Sequence, residues 1–120
     1  MLLNLGDLPA ARETYERGLA IRERSLGPDS LEVAQSLTNL GNLYARQGDN
    51  VQALDHYQQA LEIKQEISDR HGICAVYYQL GLINLNTGNT RQARVYTEMS
   101  LELATELELL EEQVMNHKQL

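Results

Sequence analysis

The sequence predicts an all-α fold of antiparallel helix pairs, and three observations carry that prediction. Leu, Ala, Glu and Gln dominate a chain of 120 residues that has only two prolines, no Trp and no Phe, and these abundant residues are helix formers. The chain also repeats itself. Gly6 opens "GDLPAARETYERGLAI", Gly48 opens "GDNVQALDHYQQALEI" and Gly88 opens "GNTRQARVYTEMSLEL", at spacings of 42 and 40 residues. Finally, apolar and small residues between the glycines recur at helical intervals: Leu37, Leu40, Gly41 and Tyr44 fall at i, i+3, i+4 and i+7, one face of a helix.

Taken in order, each copy reads the same way. After each opening glycine come Ala11, Ala53 and Ala93, then Tyr15, Tyr57 and Thr97, then Gly18, Ala60 and Ser100, then Leu19, Leu61 and Leu101. In the first copy Asp7 is placed to cap a helix and Pro9 falls in its first turn, where a missing N–H costs nothing. After Pro28, Asp29 with Glu32 has the spacing of a capping box that would start the first helix of the second copy. Asp49 is the corresponding cap for the next helix, on which Ala53, Tyr57, Ala60 and Leu61 share a face with Lys64 at its boundary. The "GDN" and "TGN" turns are short, and short turns make consecutive helices antiparallel neighbours. In the third copy "LGLINLNTG" repeats "LGNLYARQG", and "LELATELELLEEQVMNHKQL" from Leu101 aligns without a gap to "LEIKQEISDRHGICAVYYQL" from Leu61. The "ELELLEEQ" segment contains no Gly, Pro or Asp, so the last two helices are free to run on as one from about Thr90 to Leu120.

Gly41 sits inside a helix, where glycine costs about 1 kcal/mol relative to alanine. Its recurrence as Gly81 predicts a close helix crossing there, small residue against small with Ala53 or Ala60 opposite, and Tyr44 and Tyr57 filling the wider ends. The register divides one array into a partial unit 1–28, full units 29–68 and 69–109, and the first helix of a truncated unit, 110–120. Stacked repeats need polar end caps. Leu2, Leu3 and Leu5 at one end and Val114 and Leu120 at the other are not of that kind, so the chain reads as a piece of a longer array or as one that pairs with copies of itself through its terminal helices.

Composition narrows function. A net charge of −7 argues against nucleic acid and against anionic membranes as partners. Cys74 is the single cysteine, which leaves no disulfide framework and no thiol metal site and points to a reduced, cytoplasmic setting. The N-terminus lacks the basic region of a signal peptide, and no apolar run is long enough to span a membrane. His56, His71 and His117 do not pair at ligand spacing, so no metal is expected. Cys74 lies three residues from His71 without the oxyanion site and orienting group that a nucleophile needs. No phosphate-binding glycine loop is present. The expectation is a chain that is not an enzyme, with no catalytic residues and no cofactor. Glu98, Glu102 and Glu106, with Arg94 one turn earlier, form a stripe that reads as a solvated outer face.

The series Leu37, Leu40-Gly41, Tyr44, Gly48, Ala53, Tyr57, Ala60, and its third-copy counterpart Tyr77, Leu80-Gly81, Asn84, Gly88, Ala93, Thr97, Ser100, resembles the tetratricopeptide repeat. The likeness covers essentially the whole chain. Two departures stand out: the family's late proline is replaced by Gln65 and Thr105, and the unit of 40 to 42 residues exceeds the usual length of about 34, which is similar to the kinesin light chain type. The resemblance implies a right-handed α-α superhelix whose first helices line a concave face. The inward positions would be Gln35, Thr38, Asn39, Asn42 and Arg46 in the second copy, and Ala75, Tyr78, Gln79, Leu82 and Asn86 in the third. Asn and Gln amides donate and accept at once and suit an extended peptide, while Tyr78 and Leu82 offer an apolar spot. The family's carboxylate clamp is not expected, because Thr38, Ala75 and Gln79 stand where its Lys and Arg would be. The implied function is a protein-interaction module that binds a peptide or partner domain. The alternatives are an oligomerisation segment, or the sensing arm of a larger signalling enzyme.

Overall fold

The structure is a computed structural model that describes the backbone of residues 8–119 and the side chains of residues 9–111. It contains five helices among the described residues: α1 (Leu8–Leu26), α2 (Leu31–Arg46), α3 (Asn50–Glu66), α4 (Arg70–Asn86) and α5 (Thr90–Gln119). They form two compact units, one ending at Ser68 and one beginning at Asp69. In the first, α2 packs against both α1 and α3; in the second, α4 packs against α5. The proposed cap Asp7 and the terminal residues Leu2, Leu3, Leu5 and Leu120, with the side chain of Val114, lie outside the described residues.

The starts of three helices follow from short polar side chains. Asp49 accepts from the Gln52 amide and starts α3 as expected; Asp69 does the same for α4 with the Gly72 amide. The start of α2 differs from the expectation. Ser30, not Asp29, is the cap, and its hydroxyl accepts from the Val33 amide. One residue of register decides this: Asp29 lies in the turn, while extended Ser30 is the last residue before the helix and presents its oxygen to the orphan donors.

Three turns of one kind end α2, α3 and α4. Gly48 and Gly88 have φ of 81° and 83°. Gly48 N–H bonds to Ala45 O and Asp49 N–H to Tyr44 O, and Gly88 and Asn89 repeat the pair with Leu85 and Asn84, the left-handed stop that glycine favours. Ser68 holds the same place after α3 with φ of 58°. A side chain there is held in a region that costs roughly 1–2 kcal/mol for residues with a β-carbon. Ser68→Gly is therefore expected to raise stability by a few tenths to about 1 kcal/mol, once the looser unfolded chain is discounted. Urea denaturation of the full chain checks it, and an unchanged or lower midpoint would count against strain at Ser68.

The first unit's core joins Val33, Ala34 and Leu37 of α2 to Ala60 and Ile63 of α3, with Leu19 of α1 against them. A second cluster joins Ala11, Tyr15 and Leu43. Lys64 is buried with its face, not at the boundary. In the second unit Val76, Leu80, Ile83 and Ala93 are buried. There Cys74 and Ser100 take the places of Ala34 and Ala60 and lock α4 to α5. The Ser100 hydroxyl donates to Cys74 O at 3.0 Å and the Cys74 thiol to Ser100 O at 3.2 Å.

What faces Gly41 corrects the expectation of an alanine opposite it. A β-carbon on Gly41 would lie 2.6 Å from Cε1 and 2.8 Å from Cδ1 of Tyr57. The tyrosine ring, not an alanine, lies against the glycine. On Gly81 a β-carbon would meet Thr97 Oγ1 at 2.7 Å, Thr97 being the residue that replaces Tyr57 in the third copy. Ala60 instead belongs to the cluster around Ala34. Thr90 to Gln119 is one continuous helix of 30 residues, as the lack of breakers allowed.

Candidate functional site

The residues that the resemblance implies would face inward in the second copy lie on α2. Gln35, Asn39 and Arg46 are exposed, and Thr38 and Asn42 are half-buried. Their chemistry differs from residue to residue. The Thr38 hydroxyl donates back to Ala34 O at 3.0 Å, so its proton is spent on its own helix. The Asn42 side-chain oxygen accepts from the Tyr57 hydroxyl at 2.5 Å. That bond ties Asn42 to the buried Tyr57. Asn39, Asn42 and Arg46 come together with Tyr15 and Leu43 around a shallow concavity of about 80 Å³. Its mouth therefore offers two side-chain amides and a guanidinium over the phenol ring of Tyr15. Gln35 and Thr38 are not part of this concavity.

Tyr15 was not among the expected site residues. Its repeat position, nine after Gly6, marked it as a structural aromatic. Only the packing of α1 on α2 shows that it also borders the site.

The corresponding residues of the third copy lie on α4. Tyr78 is 53% exposed and Leu82 41% exposed, one turn apart, which gives a continuous apolar spot. Asn86 is exposed at the helix end, Ala75 is exposed, and Gln79 is half-buried. Leu82 also lines a separate groove between α4 and α5 of about 270 Å³, bordered by Leu85, Ala93, Arg94, Thr97 and Glu98. Sequence reading assigned Arg94 and Glu98 to a solvated face; they rim this groove.

On the opposite edge of α2, Tyr44 ties three helices. Its hydroxyl donates to Glu16 Oε1 at 3.2 Å, the Arg12 guanidinium lies 5.9 Å from its ring centre, and the His56 ring stands 5.0 Å away. Burial, and then Glu16, push its phenol pKa above the ordinary value. Cys74 is engaged with Ser100, and His71 reaches Glu111 at 3.8 Å, so the two residues that are neighbours in sequence have different partners. Among the described residues no helix is long and apolar enough to cross a membrane.

Comparison with known proteins agrees with the helical repeat. The tetratricopeptide repeat family profile matches residues 1–66 and again 45–106. Photosystem I assembly protein Ycf3 of Synechococcus elongatus is 26% identical over 102 residues, which are 84% of this chain and 56% of that protein. The same protein of a second Synechococcus strain matches equally. This chain thus spans 56% of the length of these curated relatives. Among solved structures, BtubC (BKLC) from P. vanneervenii superposes with a TM-score of 0.79 at 25% identity, over 84% of this chain and 41% of that one. The likeness shows the all-α helix-pair solenoid class.

Proposed function

Because this chain belongs to the tetratricopeptide repeat family, we propose that it is a protein-binding scaffold without chemistry of its own, which takes an extended segment of a partner on α2 of its first unit. The observation that carries this reading is the concavity where Asn39, Asn42 and Arg46 meet beside Tyr15. Amides and a guanidinium over an aromatic wall recognise main-chain carbonyls and one side chain, and they do so without demanding a fixed sequence. On the second unit, taken by itself, Tyr78 and Leu82 offer an apolar contact of the kind that anchors a bound side chain. The relatives are named for assembly of photosystem I; a role in holding partners for assembly is the aspect of that description carried over here.

Selection of a displayed random-peptide library on the full chain tests the proposal. Enriched peptides are expected to bind at least about tenfold more weakly, about 1.4 kcal/mol, to Asn39→Ala or Arg46→Ala when held by the first unit, and to Tyr78→Ala when held by the second. These residues are exposed, so their loss leaves the core intact. Asn42→Ala is less suitable because it also breaks the bond to Tyr57. Peptides that bind all three variants as well as the parent would place the binding surface elsewhere.

A further inference from the structure

One residue joins the concavity on the first unit to the core beneath it. Asn42 of α2 borders the concavity, and its side-chain oxygen accepts from the hydroxyl of Tyr57 on α3 at 2.5 Å. Tyr57 itself is 2% exposed and does not line the concavity. A carboxamide has a donor end and an acceptor end of nearly the same shape, so an unrestrained asparagine can offer a ligand either one. The phenol removes that choice. Its separation from Asn42 falls in the range of O–H···O bonds, roughly 2.5–3.0 Å, and short of that of N–H···O bonds, roughly 2.7–3.2 Å. Turned round, the amide would set its nitrogen against the phenol oxygen and leave the phenolic proton in the core without an acceptor, which is costly. Burial pushes the phenol pKa up to about 12, so the group keeps that proton at neutral pH.

The nitrogen end of Asn42 is left over. No hydrogen bond among the described residues uses it. Among those residues no buried side-chain nitrogen or oxygen lacks a partner, so this nitrogen reaches the surface. The repeat links the same two positions. The third copy exchanges both together: Leu82 stands for Asn42 and Thr97 for Tyr57, and the Thr97 hydroxyl donates to Ala93 O of its own helix at 2.7 Å. Where the phenol is missing, the amide it would hold is missing as well.

We infer that Tyr57 is a positioning residue for the peptide site: it holds Asn42 with its oxygen toward the core and its NH2 toward the concavity, so that the occupant brings a hydrogen-bond acceptor, a main-chain carbonyl, to this point. The inference deepens the reading of the concavity as a peptide site and rests on it. The Arg46 guanidinium also has donors only, so the two side chains, one turn apart on α2, ask for the same chemistry. Segments that turn a backbone carbonyl to Asn42 are favoured. Those that turn an N–H there are rejected, because a donor set against a donor leaves both unpaired.

Nuclear magnetic relaxation of the side-chain amides of the full chain reads this without any ligand. The Asn42 NH2 is expected to show an order parameter near that of rigid backbone, about 0.85, and to fall below about 0.6 in Tyr57→Phe, which removes the hydroxyl and keeps the ring. The exposed Asn39 amide and the backbone of α2 and α3 should not change. An Asn42 amide that is mobile in the parent, or as rigid in Tyr57→Phe as before, overturns the proposal. The second arm follows, by anisotropy, a labelled peptide from the library selection that depends on Asn39 and Arg46. Tyr57→Phe should weaken its binding about two- to fivefold, since only a fraction of the freed Asn42 presents its donor, and should change nothing further in Asn42→Ala. Asn42→Asp keeps an oxygen for the phenol but has no N–H, and should weaken binding more than about tenfold, or about 1.4 kcal/mol. Undiminished binding by Asn42→Asp would mean that the occupant donates here, and overturns the proposal. If no enriched peptide depends on Asn39 or Arg46, the peptide reading fails and the inference falls with it. The relaxation result tells the two failures apart, because it is read on the chain alone.

Discussion

Tyr57→Ala is expected to lower the stability of the first unit by about 3–5 kcal/mol, the largest loss from any single side chain described here. The ring is 2% exposed and lies against Gly41. Its hydroxyl is held by Asn42. Truncation removes the apolar burial, opens a cavity that the rigid α2–α3 pair cannot close, and leaves Asn42 without its internal donor. Urea denaturation of the full chain, followed by helical circular dichroism, reads the loss; a change below about 1 kcal/mol would show that the site collapses to fill the space. The same ring limits stability in alkali. Burial pushes its phenol up to about 12 from 10.0. Between those values the unfolded chain gives up the proton and the folded chain keeps it. The folded state binds more protons there, so stability falls as pH rises, by about 1.4 kcal/mol per unit from this group. Tyr57→Phe removes this part of the pH dependence, at the loss of roughly 1 kcal/mol near neutrality for the hydrogen bond.

Gly41→Ala is expected to destabilise the chain, against the general preference of helices for alanine. The new methyl would overlap the Tyr57 ring at 2.6 Å and 2.8 Å, and the ring is fixed by Asn42 and by burial. Overpacking of this kind costs typically 1–3 kcal/mol, which exceeds the gain of about 1 kcal/mol from propensity. In a Tyr57→Ala background the sign should reverse, because the methyl then enters the space the ring has left and the propensity gain stands alone. A double-mutant cycle measures that reversal. Destabilisation by Gly41→Ala of equal size in both backgrounds would mean that the ring is not what the glycine accommodates.

The two glycines show where sequence reading stopped. Repetition of Gly41 as Gly81 marked both as positions of close approach. The partner across the interface was misassigned, because periodicity identifies which side of a helix is buried and says nothing about the axial offset between two helices. A shift of one turn exchanges Ala60 for Tyr57 over the glycine. The cap of α2 failed in the same way on a smaller scale: Asp29 and Ser30 are both able to cap, and the path of the turn chose Ser30. Asn39, Asn42 and Arg46 were legible as one helical face because their spacing is local. That Asn42 is also bound to Tyr57, and that Tyr15 completes the concavity, depends on residues 15 and 27 positions away in the chain.

By itself, then, the sequence determined the all-α class, the repeat, the turns at Gly48 and Gly88 and the buried face of α2. These are properties of residues near one another in the chain, where backbone preference and a period of about 3.6 residues act directly. The tertiary structure decided what lies over Gly41, which of the expected site side chains on α2 are bonded within the chain, and that Arg94 and Glu98 border a groove between α4 and α5. Those depend on how far one helix slides along another, and that offset is set by the summed fit of side chains from separate copies.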